Sequence, residues 1–284
     1  MVGRWHNLVE RWLDLLFPPR CATIACGRRG AVICAACLGS APPLPSRRCR
    51  LCGDAVLDGD AFDAPGAAAV PHPVSGSVAL CRRCAYDPPA FSLAVAAWRH
   101  ETPVTDWIHA LKYGRRAPIA APLGRGAGRA VRAMGDAVDL SRACVVPVPA
   151  HAERRRERGI DAAALIAGAV ARELALPLSA ELLCRLRPTP PQVGTSRAAR
   201  RANVAGAFRA AAGIDGRTVV LVDDVLTTGA TAEACAEALR GCGARTVVVA
   251  TVARATRVGP PRERATLRAT GWREGFRGRG DGSV

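Results

Sequence analysis

The chain has 284 residues, of which 49% are hydrophobic, and a formal net charge of +16 at pH 7. That is enough apolar material for one large core or two smaller ones. No run approaches the roughly 18 consecutive apolar residues of a membrane span, and at 4% the aromatics are too few for a base-stacking platform.

The basic excess favours phosphorylated small molecules, nucleic acid or an anionic surface as partners. From the N-terminus, Trp5 to Phe17 alternates apolar and charged residues and includes Glu10 and Asp14. It reads as a short amphipathic helix, since an export signal has an uninterrupted apolar core. The expected location is therefore cytoplasmic, where cysteines serve metal or redox chemistry more than structural disulfides.

Eight of the twelve cysteines form four pairs: Cys21 with Cys26, Cys34 with Cys37, Cys49 with Cys52, and Cys81 with Cys84. Spacings of two to four residues let both thiolates of a pair reach one tetrahedral zinc at about 2.3 Å. Gly27 and Gly53 follow their pairs and suit the tight turn of a zinc knuckle. Sequential pairing into two sites of four thiolates each, a double zinc ribbon, is the simplest arrangement, and interleaving stays open. A redox Cys-x-x-Cys sits singly in a thioredoxin-like βαβ setting that is missing here. Structural Zn2+, one ion or two, is expected to supply folding energy to a segment with little core. His72 and His100 read as exposed or structural histidines, and Asp54 to Gly76 as an inserted loop. Residues 1–90 form this first region.

Phe91 to Trp98 reads as a strand. A helix follows from Thr102 and Pro103 towards Tyr113, with Trp107, Ile108 and Leu111 at core spacing. Lys112 is the only lysine, and either a phosphate ligand or a solvated helix end accounts for it. A second helix spans broadly Ile119 to Met134. Cys144 to Pro149 is a short strand ended by prolines. The loop Ala150 to Gly159 carries Arg154, Arg155, Arg156 and Arg158. It suits either bidentate contact to pyrophosphate oxygens or plain solvation. The helix Asp161 to Leu174 has Asp161 as its cap and Leu165, Ile166, Ala169, Val170 and Leu174 on one apolar face. Cys144, Cys184, Cys235 and Cys242 stand singly among apolar residues and read as buried, unreactive thiols.

Pro188 to Phe208 begins with prolines and is polar and basic, as in a mobile surface loop. Gln192, Ser196, Arg197, Arg200, Arg201 and Asn203 are the groups it could bring to a ligand. Then Thr218 to Val222 forms an apolar β-branched run, a buried parallel strand. Asp223 and Asp224 come at its carboxyl end. The turn Thr227, Thr228, Gly229, Ala230, Thr231 leads into a helix from Glu233 to Arg240. An anion fits backbone N–H groups and hydroxyls at such a helix N-terminus, and the acids suit hydroxyl groups or hydrated Mg2+. Arg245 to Val252 is a further strand. Residues 254–284 read as a basic, structureless tail.

The stretch Thr218 to Thr231 resembles the phosphoribosyl-pyrophosphate (PRPP) loop of type I phosphoribosyltransferases. The cysteine pairs, Leu111 to Tyr113, Val145 to Pro149 with Arg154 to Gly159, and Pro191 to Asn203 extend the likeness to the ComF family. These are competence-associated, phosphoribosyltransferase-like proteins with an N-terminal zinc ribbon. The resemblance implies an α/β fold, a parallel sheet flanked by helices over residues 91–253, preceded by the double zinc ribbon. It also implies a Mg2+-dependent phosphoribosyltransferase with an unknown acceptor, or a non-catalytic module in DNA uptake. Partners would be PRPP and single-stranded DNA or competence-machinery proteins. By the same resemblance, Asp223 and Asp224 hold the ribose hydroxyls and Thr227 to Thr231 the 5-phosphate. Arg154, Arg155, Arg158 and Lys112 face pyrophosphate, and Gln192 to Asn203 close over the site. One departure stands out: Arg158 to Ala162 reads Arg-Gly-Ile-Asp-Ala where the family usually has Arg-Gly-Phe-Asn-Gln.

Overall fold

A computed structural model of the chain describes residues 18–56, 61–62, 80–150, 156, 159–187 and 203–256. The helix expected over Trp5 to Phe17, most of the loop Asp54 to Gly76 and nearly all of the tail lie outside these residues. In chain order the front end contributes α1 (Ala35–Gly39), a two-stranded ladder of β1 (Ala61–Phe62) with β2 (Leu80–Cys81), and α2 (Arg82–Tyr86). Next come β3 (Leu93–Arg99), α3 (Val104–Lys112), α4 (Ala120–Arg132), β4 (Cys144–Pro147) and α5 (Ala162–Leu174). The remainder is β5 (Leu183–Arg185), β6 (Phe208–Ala210), β7 (Thr218–Leu226), α6 (Ala230–Gly241) and β8 (Thr246–Arg254).

Four strands form one sheet in the order β3-β8-β7-β4, and every pairing in it is parallel. A parallel sheet is covered on both faces, so its strands read as continuous apolar runs. Strand β7 shows why. Its side chains alternate, with Val219 and Leu221 in one buried cluster and Val220 and Val222 in the other. The first cluster takes in α6 and the second cysteine knuckle, through Cys49, Cys52 and Cys84. The second holds α3, α4, α5 and part of the first knuckle, Ala22 and Ile33. The two knuckles thus dock on opposite faces.

Helices α4 and α5 approach closely because α4 has glycines where they meet. A Cβ on Gly124 would lie 2.4 Å from the Ala169 Cβ and 2.7 Å from the Ile166 carbonyl oxygen. The first knuckle is tied to α3 by Trp107 Nε1 donating to Thr23 Oγ1 at 2.8 Å, and by Ile24 N donating to Asp106 Oδ2 at 3.1 Å.

Three expectations need correction. Leu165 is exposed; the buried stripe of α5 runs instead through Ala162, Ile166, Ala169 and Val170, nearer the close α4 contact. The β5–β6 ladder was not legible, since three-residue strands carry too little alternation to register. Within it Leu183 points inward and Cys184 outward, so Cys184 is exposed, not buried; Cys242, near the end of α6, is only partly buried.

Candidate PRPP-type site and cysteine tetrads

Strand β7 carries both acids to the carboxyl end of the sheet, where ligands of open α/β folds bind. Alternation sends them to different faces. Asp223 lies towards α6, close enough to Cys235 for its charge to raise that thiol further, beyond the effect of burial. Asp224 lies towards α3, where its Oδ2 is 2.6 Å from Lys112 Nζ, with side chains only 14% and 17% exposed. The Asp224 N–H donates to Asp223 Oδ1 at 2.8 Å. Burial, and then the like charge of Asp224, push the Asp223 carboxyl up to about 7. His100 belongs to the same cluster: burial, reinforced by the Lys112 ammonium, holds it below its ordinary value against the pull of Asp224.

Past Leu226 the chain turns through Thr227 and Thr228 to Gly229. There φ is +85°, in the left-handed region that a Cβ disfavours. The twelve-residue α6 begins at the next residue, with the Ala230 N–H against Thr228 Oγ1 at 3.5 Å. The unsatisfied N–H groups and the positive dipole end of α6 therefore face the acids' end of the sheet.

The back of this loop is held by two arginines. Arg254, 1% exposed, donates through Nη1 to the carbonyls of Leu226 (2.7 Å), Ala255 (3.1 Å) and Thr227. Its Nε donates to the Cys52 carbonyl at 3.1 Å, and its Nη2 pairs with Asp54 Oδ2 at 3.1 Å. Arg83, on α2, donates through Nη1 to the Thr228 carbonyl at 3.0 Å and through Nη2 to Cys84 Sγ at 3.6 Å.

The eight paired cysteines assemble sequentially. Cys21, Cys26, Cys34 and Cys37 form one tetrad and Cys49, Cys52, Cys81 and Cys84 the other, with sulfurs inside each within 4.8 Å of one another. Four thiols so close suit a tetrahedral Zn2+. Burial pushes the Cys21 thiol up, but N–H donors of Cys34 and Thr23 outweigh it and bring it down to about 6. In the second tetrad the neighbouring Cys49 thiol pulls Cys52 down to about 6. Cys49, Cys52 and Cys84 draw Cys81 well below the usual thiol range. Each tetrad thus holds a ready thiolate, the form a metal binds.

Of the predicted site, the structure brings together Asp223, Asp224, Lys112 and Thr227 to Thr231. Lys112 is paired with Asp224 and is not a free ammonium. Asn203 is half-buried in a helical turn leading to β6. Arg154, Arg155, Arg158, Gln192, Ser196, Arg197, Arg200 and Arg201 lie outside the described residues. Asp161 caps α5, accepting from the Ala164 N–H at 3.1 Å. Sequence reasoning missed Arg83 and Arg254, and placed Asp54 only at the start of an inserted loop, whereas it is buried. No local pattern marks them, because each is defined by partners distant in sequence.

The family described as "Phosphoribosyl transferase domain" matches residues 160–269. The "DNA utilization protein YhgH" of Escherichia coli O157:H7 is 33% identical over 62% of this chain and 78% of that protein. The "Competence protein F" of Haemophilus influenzae is 30% identical over 62% of this chain and 78% of that protein. Among solved structures, a glutamine PRPP amidotransferase from B. subtilis is 22% identical, covering 50% of this chain and 30% of that one. Its TM-score of 0.32 is too low to bear on function.

Proposed function

The chain belongs to the ComF family of phosphoribosyltransferase-like proteins, and from that premise we propose that it binds PRPP together with Mg2+ and transfers the phosphoribosyl group to an acceptor. The observation that carries this reading is one contiguous arrangement. Two acids end the parallel strand β7, and the next residues turn through Gly229 into the N-terminus of α6.

In this reading Asp223 and Asp224 accept hydrogen bonds from the ribose 2- and 3-hydroxyls, and the N–H groups and hydroxyls of Thr227 to Thr231 hold the 5-phosphate. Hard carboxylate oxygens at the site suit Mg2+, which when bound neutralises charge on the departing pyrophosphate. Lys112 holds Asp224 in place, so the acid is oriented before ligand arrives. Arg154, Arg155 and Arg158 add charge for pyrophosphate. Gln192, Ser196, Arg197, Arg200, Arg201 and Asn203 belong to the segment that excludes water from an oxocarbenium-like centre. The relatives named for DNA utilization and competence make DNA uptake the process in which to look for the acceptor.

A second reading is a non-catalytic PRPP- or single-stranded-DNA-binding module. It draws on Asp161, which engages its carboxylate in capping α5 at the step where the family usually offers Asn-Gln. Calorimetric titration of PRPP with Mg2+ into the protein and into Asp223→Asn/Asp224→Asn tests the site. Equal binding by the two, or none by either, removes it. If PRPP binds, pyrophosphate release over a panel of bases separates turnover from simple binding.

A further inference from the structure

Arg83 and Arg254 join the second cysteine tetrad to the phosphate loop. Between them they donate to three consecutive carbonyls: Arg254 to Leu226 and Thr227, Arg83 to Thr228. In a trans peptide the C=O and the following N–H point in opposite directions. Tying these carbonyls to the back of the loop therefore turns the N–H groups of Thr227, Thr228 and Gly229 to its front. Among the described residues none of those three N–H groups has an acceptor. Successive N–H groups turned to one side make an anion-binding concavity.

The other ends of both arginines rest on the tetrad. Arg83 reaches Cys84 Sγ, while Arg254 reaches the Cys52 carbonyl and Asp54. A Zn2+ held by Cys49, Cys52, Cys81 and Cys84 would tie four sulfurs that already lie within 4.8 Å of one another to a single centre. Loading the tetrad therefore fixes both the backbone around Cys52 and the Cys84 sulfur that Arg83 grips. Among the described residues the first tetrad shows no such route: Thr23 and Ile24, between two of its cysteines, bond to α3 on the other face of the sheet.

We propose that zinc in the Cys49/Cys52/Cys81/Cys84 tetrad sets the phosphate affinity of the Thr227–Thr231 loop, with Arg83 and Arg254 as the positioning residues that transmit it. The identity of the anion rests on the PRPP reading above; the coupling itself does not. It is tested on the full-length, zinc-loaded chain by amide hydrogen exchange of the peptides spanning residues 226–230. A parallel titration uses PRPP with Mg2+.

Removing zinc from the second tetrad, through Cys81→Ser/Cys84→Ser, is expected to speed exchange at Thr227 to Gly229 about tenfold or more. Arg83→Met, which leaves all eight ligands in place, is expected to do the same with zinc content unchanged. It should also weaken PRPP about tenfold, the loss of one charge-assisted hydrogen bond. Arg254→Lys keeps the charge but not the fork that serves several acceptors, and should behave likewise. Disrupting the first tetrad, by Cys21→Ser/Cys26→Ser, should leave the loop protected. Unchanged loop exchange in Arg83→Met, or equal loosening from either tetrad, overturns the coupling. Zinc-dependent loop exchange in a wild-type chain that fails to bind PRPP upholds the coupling and removes the PRPP reading instead.

Discussion

Replacing Asp223 by Asn should stabilise the protein, and most at neutral to alkaline pH. The Asp223 carboxyl is raised from 3.8 to about 7, chiefly by burial and then by Asp224. Its folded pKa lies above its unfolded value, so the folded chain holds a proton that the unfolded chain has already released. Stability contributed by this group is full below about pH 4, declines as pH rises to about 7, and is level beyond. Three units correspond to about 4 kcal/mol, and water at the open mouth of the site reduces this to about 2–3 kcal/mol. Asparagine keeps an Oδ1 acceptor for the Asp224 N–H, now at 2.8 Å, and carries no charge to desolvate. In urea unfolding of zinc-saturated protein, Asp223→Asn should gain about 2–3 kcal/mol over wild type at pH 8 and about half that at pH 5.5. Lower pH is avoided because thiolate ligands protonate and release metal; above it, both proteins share the same tetrads and the difference isolates Asp223. A variant no more stable at pH 8, or equally favoured at both pH values, would refute the reasoning. The gain would come with loss of ligand affinity, the usual relation between a strained site and its function.

Three further outcomes are expected. Lys112→Met leaves the mostly buried Asp224 without its partner at 2.6 Å and should destabilise by about 1–3 kcal/mol in urea unfolding; adding Asp224→Asn should restore most of it. Gly124→Ala pushes a methyl to 2.4 Å from the Ala169 Cβ, which should separate α4 from α5 and lose about 1–3 kcal/mol, seen as a lower Tm. Zinc release by a thiol reagent, followed with a colorimetric chelator, should give two ions per chain for the two tetrads and one for Cys49→Ser/Cys52→Ser.

The sheet and the acid-bearing loop were legible because both are encoded locally. β7 is a nine-residue run whose two faces are both buried, so its apolar residues are continuous and its end is marked by the first charges. The turn needs a residue at φ +85° and has glycine there. Cysteine pairing was equally plain in kind, and folding resolved its register into two sequential tetrads. Lys112 was singled out only by its rarity. Its partner, Asp224, could not be read because helix α3 and strand β7 are brought together by packing across the sheet, which no local periodicity reports.

The clearest failure concerns arginine. In a chain with so many, charge identity carries little information, and Arg254 fell naturally with the basic tail. Its function is set by Cys52, 202 residues earlier in the chain, and by Leu226 and Thr227 on the neighbouring strand and its turn. A guanidinium exposed to only 1% must satisfy its donors with carbonyls and a carboxylate, so the strand end, the second knuckle and the loop have to meet where it sits. In the proposed coupling that requirement gives the cysteine-rich front end a role beyond folding itself: it supplies the wall against which the Thr227–Thr231 loop is shaped. A zinc ribbon attached only for stability would need apolar contact with the sheet. This one also presents Cys52, Asp54 and Arg83 to the backbone of the site, and it is this polar contact that removal of zinc would dissolve first.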